Sequence, residues 1–307
     1  MFESIKFKGN HNFLGLPNED TTMETAKAVI LPVPYDSTTS YRSGTRDGPG
    51  AILAASRNVE LYDIQLGCEP LNFGVHTLPE LEPDMSGPGA MVESVESAVG
   101  EILRVDKLPV ILGGEHSLST GSVRALEKHY GKNLSILQLD AHADLRDSYE
   151  NTPFNHASVM RRVMEIAHLV QVGIRNISKG EMAFVKETRH DGIFWAHDMI
   201  DGFEKHIPQI VERLKTNVFI SIDLDVFDPS IMPAVGTPEP GGLNWQQVLA
   251  LLHAVVDNKN VIGFDVMELC PIPGNIAPDF LAAKLVFKLL GEIFRKNAWI
   301  SDSGEQS

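Results

Sequence analysis

Cysteine is nearly absent from this sequence. Two residues, Cys68 and Cys270, occur in 307, and neither lies in a Cys-x-x-Cys pair or a Cys/His cluster. That excludes a disulfide framework and a structural zinc knot, and it accords with a reducing compartment. Long apolar runs are missing too. No stretch approaches the roughly 20 residues of a membrane helix, and residues 1–8 contain no apolar signal core. The expected location is the cytoplasm, with no membrane partner. Positive charge is also scarce: 26 Lys and Arg stand against 41 Asp and Glu, a net charge of -15. Such a chain repels phosphate, so nucleic acid is not an expected partner. Divalent cations, or a small cationic substrate, suit it better.

What is present is ordinary globular material, 43% hydrophobic, long enough to bury a sizeable core. No internal repeat, low-complexity tract or linker divides it. One domain over 1–307 is expected, with an irregular arm at 1–25 that would lie over a neighbour, and a frayed tail at 302–307. About eight short apolar runs read as strands: 27–33, 71–75, 108–112, 134–139, 169–174, 192–196, 218–222 and 261–266. Between them lie stretches with helical spacing, at 91–105, 119–129, 158–167, 179–187, 203–214, 245–256 and 278–294. The runs are continuous rather than alternating, as strands buried on both faces require. The pattern predicts a parallel sheet covered by helices, with a closed (α/β) barrel as the alternative. In either case a site belongs at the carboxyl ends of the strands.

Chemistry collects at those ends. The run 134–139 leads into Asp140-Ala141-His142-Ala143-Asp144-Leu145-Arg146-Asp147. Alternate residues share a face, so Asp140, His142 and Asp144 can enter one space. The run 108–112 leads into Gly113-Gly114-Glu115-His116-Ser117, the run 218–222 into Asp223-Leu224-Asp225, and the run 261–266 toward Glu268. Each cluster alone could be a capped or solvated turn. Together, carboxylates crowded at one sheet edge repel each other in a low-dielectric site. Two divalent cations remove that conflict if one or two carboxylates bridge. Mixed carboxylate and imidazole donors suit Mn²⁺ and are compatible with Zn²⁺, Ni²⁺ or Fe²⁺. A cation pair also brings the pKa of water toward neutrality, which gives a hydrolytic nucleophile. His156 follows in the loop after Asp144, placed either as a helix-start residue or as a proton carrier. The loop 34–50, rich in Gly, Ser, Thr and Arg, has the composition of a functional loop. Cys270, two residues beyond Glu268, reads as a packing residue.

The three clusters, with Ser221-Ile222-Asp223-Leu224-Asp225-Val226-Phe227-Asp228-Pro229 as the third, resemble the signatures of the ureohydrolases, the arginase/agmatinase family. The resemblance runs from about residue 27 to residue 294. It implies a three-layer α/β/α domain with a parallel, eight-stranded sheet and two manganese ions. It further implies that His116, Asp140, Asp144 and Asp223 hold one ion. Asp140, His142, Asp223 and Asp225 would hold the other. Glu268 would receive the substrate guanidinium, Asp144 would orient the nucleophile, and His156 would carry protons. Many members have His-Gly where this chain has His156-Ala157, a departure that bears on the local backbone at His156. The loop from Pro34-Tyr35-Asp36 to Gly48-Pro49, and Leu145-Arg146-Asp147-Ser148-Tyr149-Glu150, are similar to agmatinases rather than arginases. The implied reaction is agmatine to putrescine and urea, in a homo-oligomer of three or six chains. Other guanidines (4-guanidinobutyrate, arginine, guanidine itself) are the nearest alternatives. A one-zinc amide hydrolase of the deacetylase type fits less well, because both paired ligand sets are present. A silent metal-binding protein is the alternative of another class.

Overall fold

The apolar runs do form buried strands. The computed structural model describes residues 12–17, 21–71 and 74–299. Most of the predicted arm and all of the predicted tail lie outside those residues. The strands are β1 (Ala28–Val33), β2 (Val75–Thr77), β3 (Leu108–Gly113), β4 (Leu134–Leu139), β5 (His168–Ile174), β6 (Ile193–Trp195), β7 (Asn217–Asp223) and β8 (Asn260–Met267). They make one sheet in the order β2-β1-β3-β8-β7-β4-β5-β6, and every pairing is parallel. The sheet is open, with β2 and β6 at its edges, which disposes of the barrel alternative.

Alternation along each strand separates two cores. Ile30, Val110, Leu137, Val170, Ile220 and Phe264 face one. Leu31, Ile111, Ile136, Leu169, Phe219 and Ile262 face the other. Over the first face lie α1 (Gly48–Ser56), α6 (Ile207–Arg213), α7 (Trp245–Asn258) and α8 (Ala277–Lys296). Over the second lie α2 (Pro88–Arg104), α3 (Ser119–Tyr130), α4 (Val159–Met164) and α5 (Lys179–Thr188). This is the expected three-layer arrangement. It buries a strand on both sides only if both alternate sets are apolar, as they are here.

Some boundaries differ from expectation. Among the described residues the second strand is Val75–Thr77, a short edge strand paired with Ala28–Ile30 of β1; it meets the expected 71–75 at Val75, and residues 72–73 of that run lie outside the described residues. The 203–214 helix is broken into a 3₁₀ turn, Phe203–Lys205, and α6. Pro208 explains the break, because it has no N–H to donate back into the preceding turn. The described part of the arm packs against its own chain. Phe13 and Leu14 are buried in this chain's own core, with their N–H groups donating to Thr77 Oγ1 (3.0 Å) and Ser56 Oγ (2.9 Å). No described helix is long and apolar enough to cross a membrane.

The topology places the chemistry. β3, β8, β7 and β4 are four adjacent central strands, and His116, Glu268, Asp223 and Asp140 lie at or just past their carboxyl ends.

Candidate metal centre and substrate cleft

Close backbone approach comes first. A Cβ on Gly113 would lie 1.8 Å from Met267 Sδ, and one on Gly114 would lie 1.9 Å from Tyr35 O. Only glycine lets the end of β3 meet both β8 and the 33–35 turn. The gain is position: Glu268 N–H donates to Gly114 O at 2.9 Å, and His116 N–H donates to Glu268 Oε1 at 2.7 Å. His116 and Glu268, 152 residues apart, are thereby joined.

His116 is fully buried. Its Nδ1 makes no hydrogen bond, although Asp140 Oδ2, Asp223 Oδ2 and Asp144 Oδ2 lie 3.1, 3.2 and 3.3 Å away. Its other nitrogen, Nε2, lies 2.9 Å from Ser221 Oγ, and that hydroxyl donates to Asp265 Oδ1 at 2.8 Å. With its proton committed to Asp265, the Ser221 oxygen accepts from Nε2–H, which leaves the Nδ1 lone pair facing three carboxylates. An imidazole lone pair converging with three anionic oxygens is a donor set for a divalent cation.

A second set adjoins it. His142 Nδ1 lies 2.8 Å from Asp225 Oδ2 and 3.7 Å from Asp140 Oδ1. Asp140 therefore offers one oxygen to each imidazole. His116, Asp140 and Asp223 form one triad of possible ligands, and Asp140, His142 and Asp225 the other. Asp144 stands beside the first through its 3.3 Å approach to His116. Asp223 Oδ1 accepts from Asp225 N–H at 3.0 Å, so Oδ2 is the oxygen that faces His116. All six predicted ligands are thus brought together.

The charges conflict as expected. Burial, then the Asp140 charge, pushes Asp144 up to about 7. Burial and the neighbouring aspartates push Asp223 well above the usual carboxylate range and raise Asp225. Burial also lifts Glu268 to about 8. Burial works against the charge on His142, but Asp225 and Asp140 drive it up to about 12. These are groups that a pair of divalent cations would relieve together.

Asp144 and Glu268 share a further property. Their φ angles are 52° and 66°, the left-handed region that side chains with a Cβ rarely adopt. Such strain persists only where the surroundings hold it, and it gathers at functional sites. Asp144 is held by its carbonyl, which accepts from Met160 N and Arg161 N at the start of α4 (3.0 and 3.1 Å).

His156 lines the same cleft, a cavity of about 180 Å³ whose walls include Ser40, Asp144, Tyr149, Thr237 and Glu268. Burial, with a smaller push from His142 and His116, lowers its pKa to about 4, so it stands neutral at physiological pH. Alanine fits the backbone at position 157. The 156–158 turn carries no positive φ, and Ala157 N–H is held by Asn155 Oδ1 at 2.9 Å. Cys270 is buried beneath the 34–47 loop, its Sγ 3.4 Å from Ser43 O, and burial raises its thiol.

Sequence reasoning left several residues of the site unassigned. Asp265 and Gln138 were legible as lone polar residues inside apolar strands. Gln138 Nε2 donates to Asp140 Oδ2 at 2.7 Å and is itself held by Gln171. Glu115 and Thr38 lie inside the Gly-Gly-Glu-His-Ser cluster and the 34–50 loop, but nothing in the linear pattern pairs them. Arg175 gave no signal. It pins the Asp225–Phe227 turn through Asp225 O (2.6 Å) and the 236–242 loop through Glu239 O (2.7 Å).

Residues 26–291 match the model of the arginase family. The chain belongs to the arginase family. A curated relative from Synechocystis, N(1)-aminopropylagmatine ureohydrolase, is 40% identical over 88% of this chain and 90% of its own length. The agmatinase of Pyrococcus horikoshii is 36% identical over 90% and 94%. The crystal structure of agmatine ureohydrolase from Thermoplasma volcanium superposes with a TM-score of 0.79 at 33% identity, covering 91% of this chain and 93% of that one. This arginase-family chain is thus a ureohydrolase, similar both to agmatinases and to N(1)-aminopropylagmatine ureohydrolases, and its sheet is the family's parallel eight-stranded sheet.

Proposed function

We propose that this enzyme hydrolyses the guanidinium group of agmatine, releasing urea and putrescine, with two manganese ions held by His116, Asp140, His142, Asp144, Asp223 and Asp225. The observation that carries the reading is the convergence of three carboxylate oxygens on His116 Nδ1 at 3.1–3.3 Å. Bound divalent cations supply acidified water and neutralise the clustered carboxylates. The chain's own residues do the rest. Glu268, with Oε1 taken by His116 N–H, keeps its other oxygen for the guanidinium, a charge-assisted contact. Asp144 orients the attacking water from beside His116. His156, neutral and cleft-lining, accepts and returns protons as the amine leaves. The net charge of -15 favours arrival of a dication.

A second reading keeps the chemistry and lengthens the substrate. The relative at 40% identity is named for N(1)-aminopropylagmatine, which carries the same guanidinium on a longer amine tail. Urea release by manganese-loaded protein, offered agmatine, N(1)-aminopropylagmatine, 4-guanidinobutyrate, arginine and guanidine in parallel, separates the two. Preference for agmatine supports the first, and preference for the longer amine supports the second. No urea from any of them, with two metals bound, overturns both and leaves a silent metal-binding chain. The trimer or hexamer implied by the family resemblance belongs to the same proposal and is read by light scattering.

A further inference from the structure

Glu115 is a fully buried carboxylate that belongs to neither ligand triad. A buried carboxylate is costly unless donors surround it. Its donors are Thr38 N–H (2.6 Å), Thr38 Oγ1–H (2.7 Å) and Ser117 Oγ–H. Two of these come from one residue 77 positions earlier in the chain. Thr38 is 5% exposed, while Ser37 beside it is exposed and Tyr41 is 83% exposed. It is a buried anchor of the 34–47 loop.

The other side of Thr38 meets His156. Its Oγ1 accepts from His156 N–H at 3.1 Å and lies 3.3 Å from His156 Nδ1. Asn155 Nδ2 also donates to Thr38 O at 3.5 Å. A threonine hydroxyl has one proton, and this one goes to Glu115. Toward the ring the oxygen is therefore an acceptor, so Nδ1 is the protonated nitrogen. Nε2 keeps its lone pair and faces Ser40 Oγ, 3.4 Å away on the cleft wall.

We infer that Thr38, locked by Glu115, is a positioning residue that fixes both the place and the tautomer of His156. This rests on the reading of His156 as the proton carrier. The arrangement has an economy: Glu115 holds Thr38 while the next residue, His116, holds Glu268 through its N–H. One dipeptide just past the end of β3 thus sets two groups of the cleft, His156 and Glu268, and a carboxylate that orients a histidine through a neighbour is a familiar way to fix a ring.

The test uses metal-loaded enzyme. Thr38→Val keeps the shape and removes the hydroxyl. It is expected to lower kcat about tenfold with KM and metal content unchanged, and Thr38→Ser is expected to recover most of the loss. Made in a His156→Ala background, Thr38→Val should cost nothing further, because residues acting as a unit are not additive. Equal losses in both backgrounds, or Thr38→Ser no better than Thr38→Val, overturn the inference. If His156→Ala itself turns over at full rate, the reading of His156 fails instead. If His156→Ala is slow while Thr38→Val is not, that reading stands and this one falls. An independent measurement does not depend on the variants folding. Nitrogen-15 shifts of His156 in the zinc-loaded protein should show the Nδ1-protonated tautomer; the Nε2-protonated form refutes the lock.

Discussion

His116 is gripped from behind by Ser221: Nε2 and Oγ lie 2.9 Å apart in a fully buried setting. Ser221 is backed by Asp265, which also accepts from Ser119 Oγ at 2.7 Å. Ser221→Ala strands the Nε2–H and loosens the ring that aims Nδ1. Metal affinity is expected to fall about 10–100-fold, with a loss of about 1–3 kcal/mol in stability. Competition against a chromophoric chelator measures the first, and denaturant melts of stripped protein measure the second.

Asp140 is the residue common to both triads. Asp140→Ala is expected to abolish urea release and leave fewer than two metals per chain after dialysis, by elemental analysis. Full activity in that variant sinks the proposed chemistry.

Glu268→Gln keeps the shape and still accepts His116 N–H through its amide oxygen. It removes the charge assigned to the guanidinium. The expected result is about a hundredfold loss in kcat/KM with both metals retained. An unchanged kcat/KM moves the guanidinium to another carboxylate.

Far from the site, Lys288 Nζ lies 2.7 Å from Asp63 Oδ2 and both are buried. Burial alone would raise Asp63. The Lys288 ammonium and the N–H groups of Gln65 and Leu66 outweigh it, and the carboxyl sits below its ordinary value. Its contribution is therefore fully present above the unfolded carboxyl pKa of about 4, and is lost as pH falls through the lower folded value. Asp63→Asn is expected to cost about 3–5 kcal/mol at pH 7, since it leaves a buried ammonium without its counter-charge. The gap to wild type should narrow below pH 4, where wild type loses the same charge. Denaturant melts at pH 7 and pH 3 check both halves.

The sheet is readable because each central strand is a mostly apolar run, and the site because strand ends gather in a parallel sheet. Seven of the eight strand expectations overlap the observed strands closely. The eighth, 71–75, meets the observed β2 only at Val75; β2 has three residues and pairs on one side only, and residues 72–73 lie outside the described residues. The split at Pro208 was legible in principle, since proline marks a helix start. The ligand residues carried their own signal in spacing. Their supports did not. Thr38 with Glu115, and Ser221 with Asp265, are ordinary polar residues whose roles arise from contacts between segments 77 and 44 residues apart.

The strand order has a consequence for the making of the protein. β1, β2 and β3 pair among themselves, as do β4, β5 and β6 through β5, but β3 and β4 never touch; β7 and β8, the last strands synthesised, lie between them. A growing chain therefore holds two unjoined half-sheets until residues beyond 260 have emerged. Pairings this distant in sequence form late and slowly. His116 waits on one half and the Asp140 cluster on the other, and Glu268 does not yet exist. Completion of the site is thus a late event: a ribosome that stalls short of β8 leaves a chain that carries all six proposed ligands, with His116 on one half-sheet and the other five on the other.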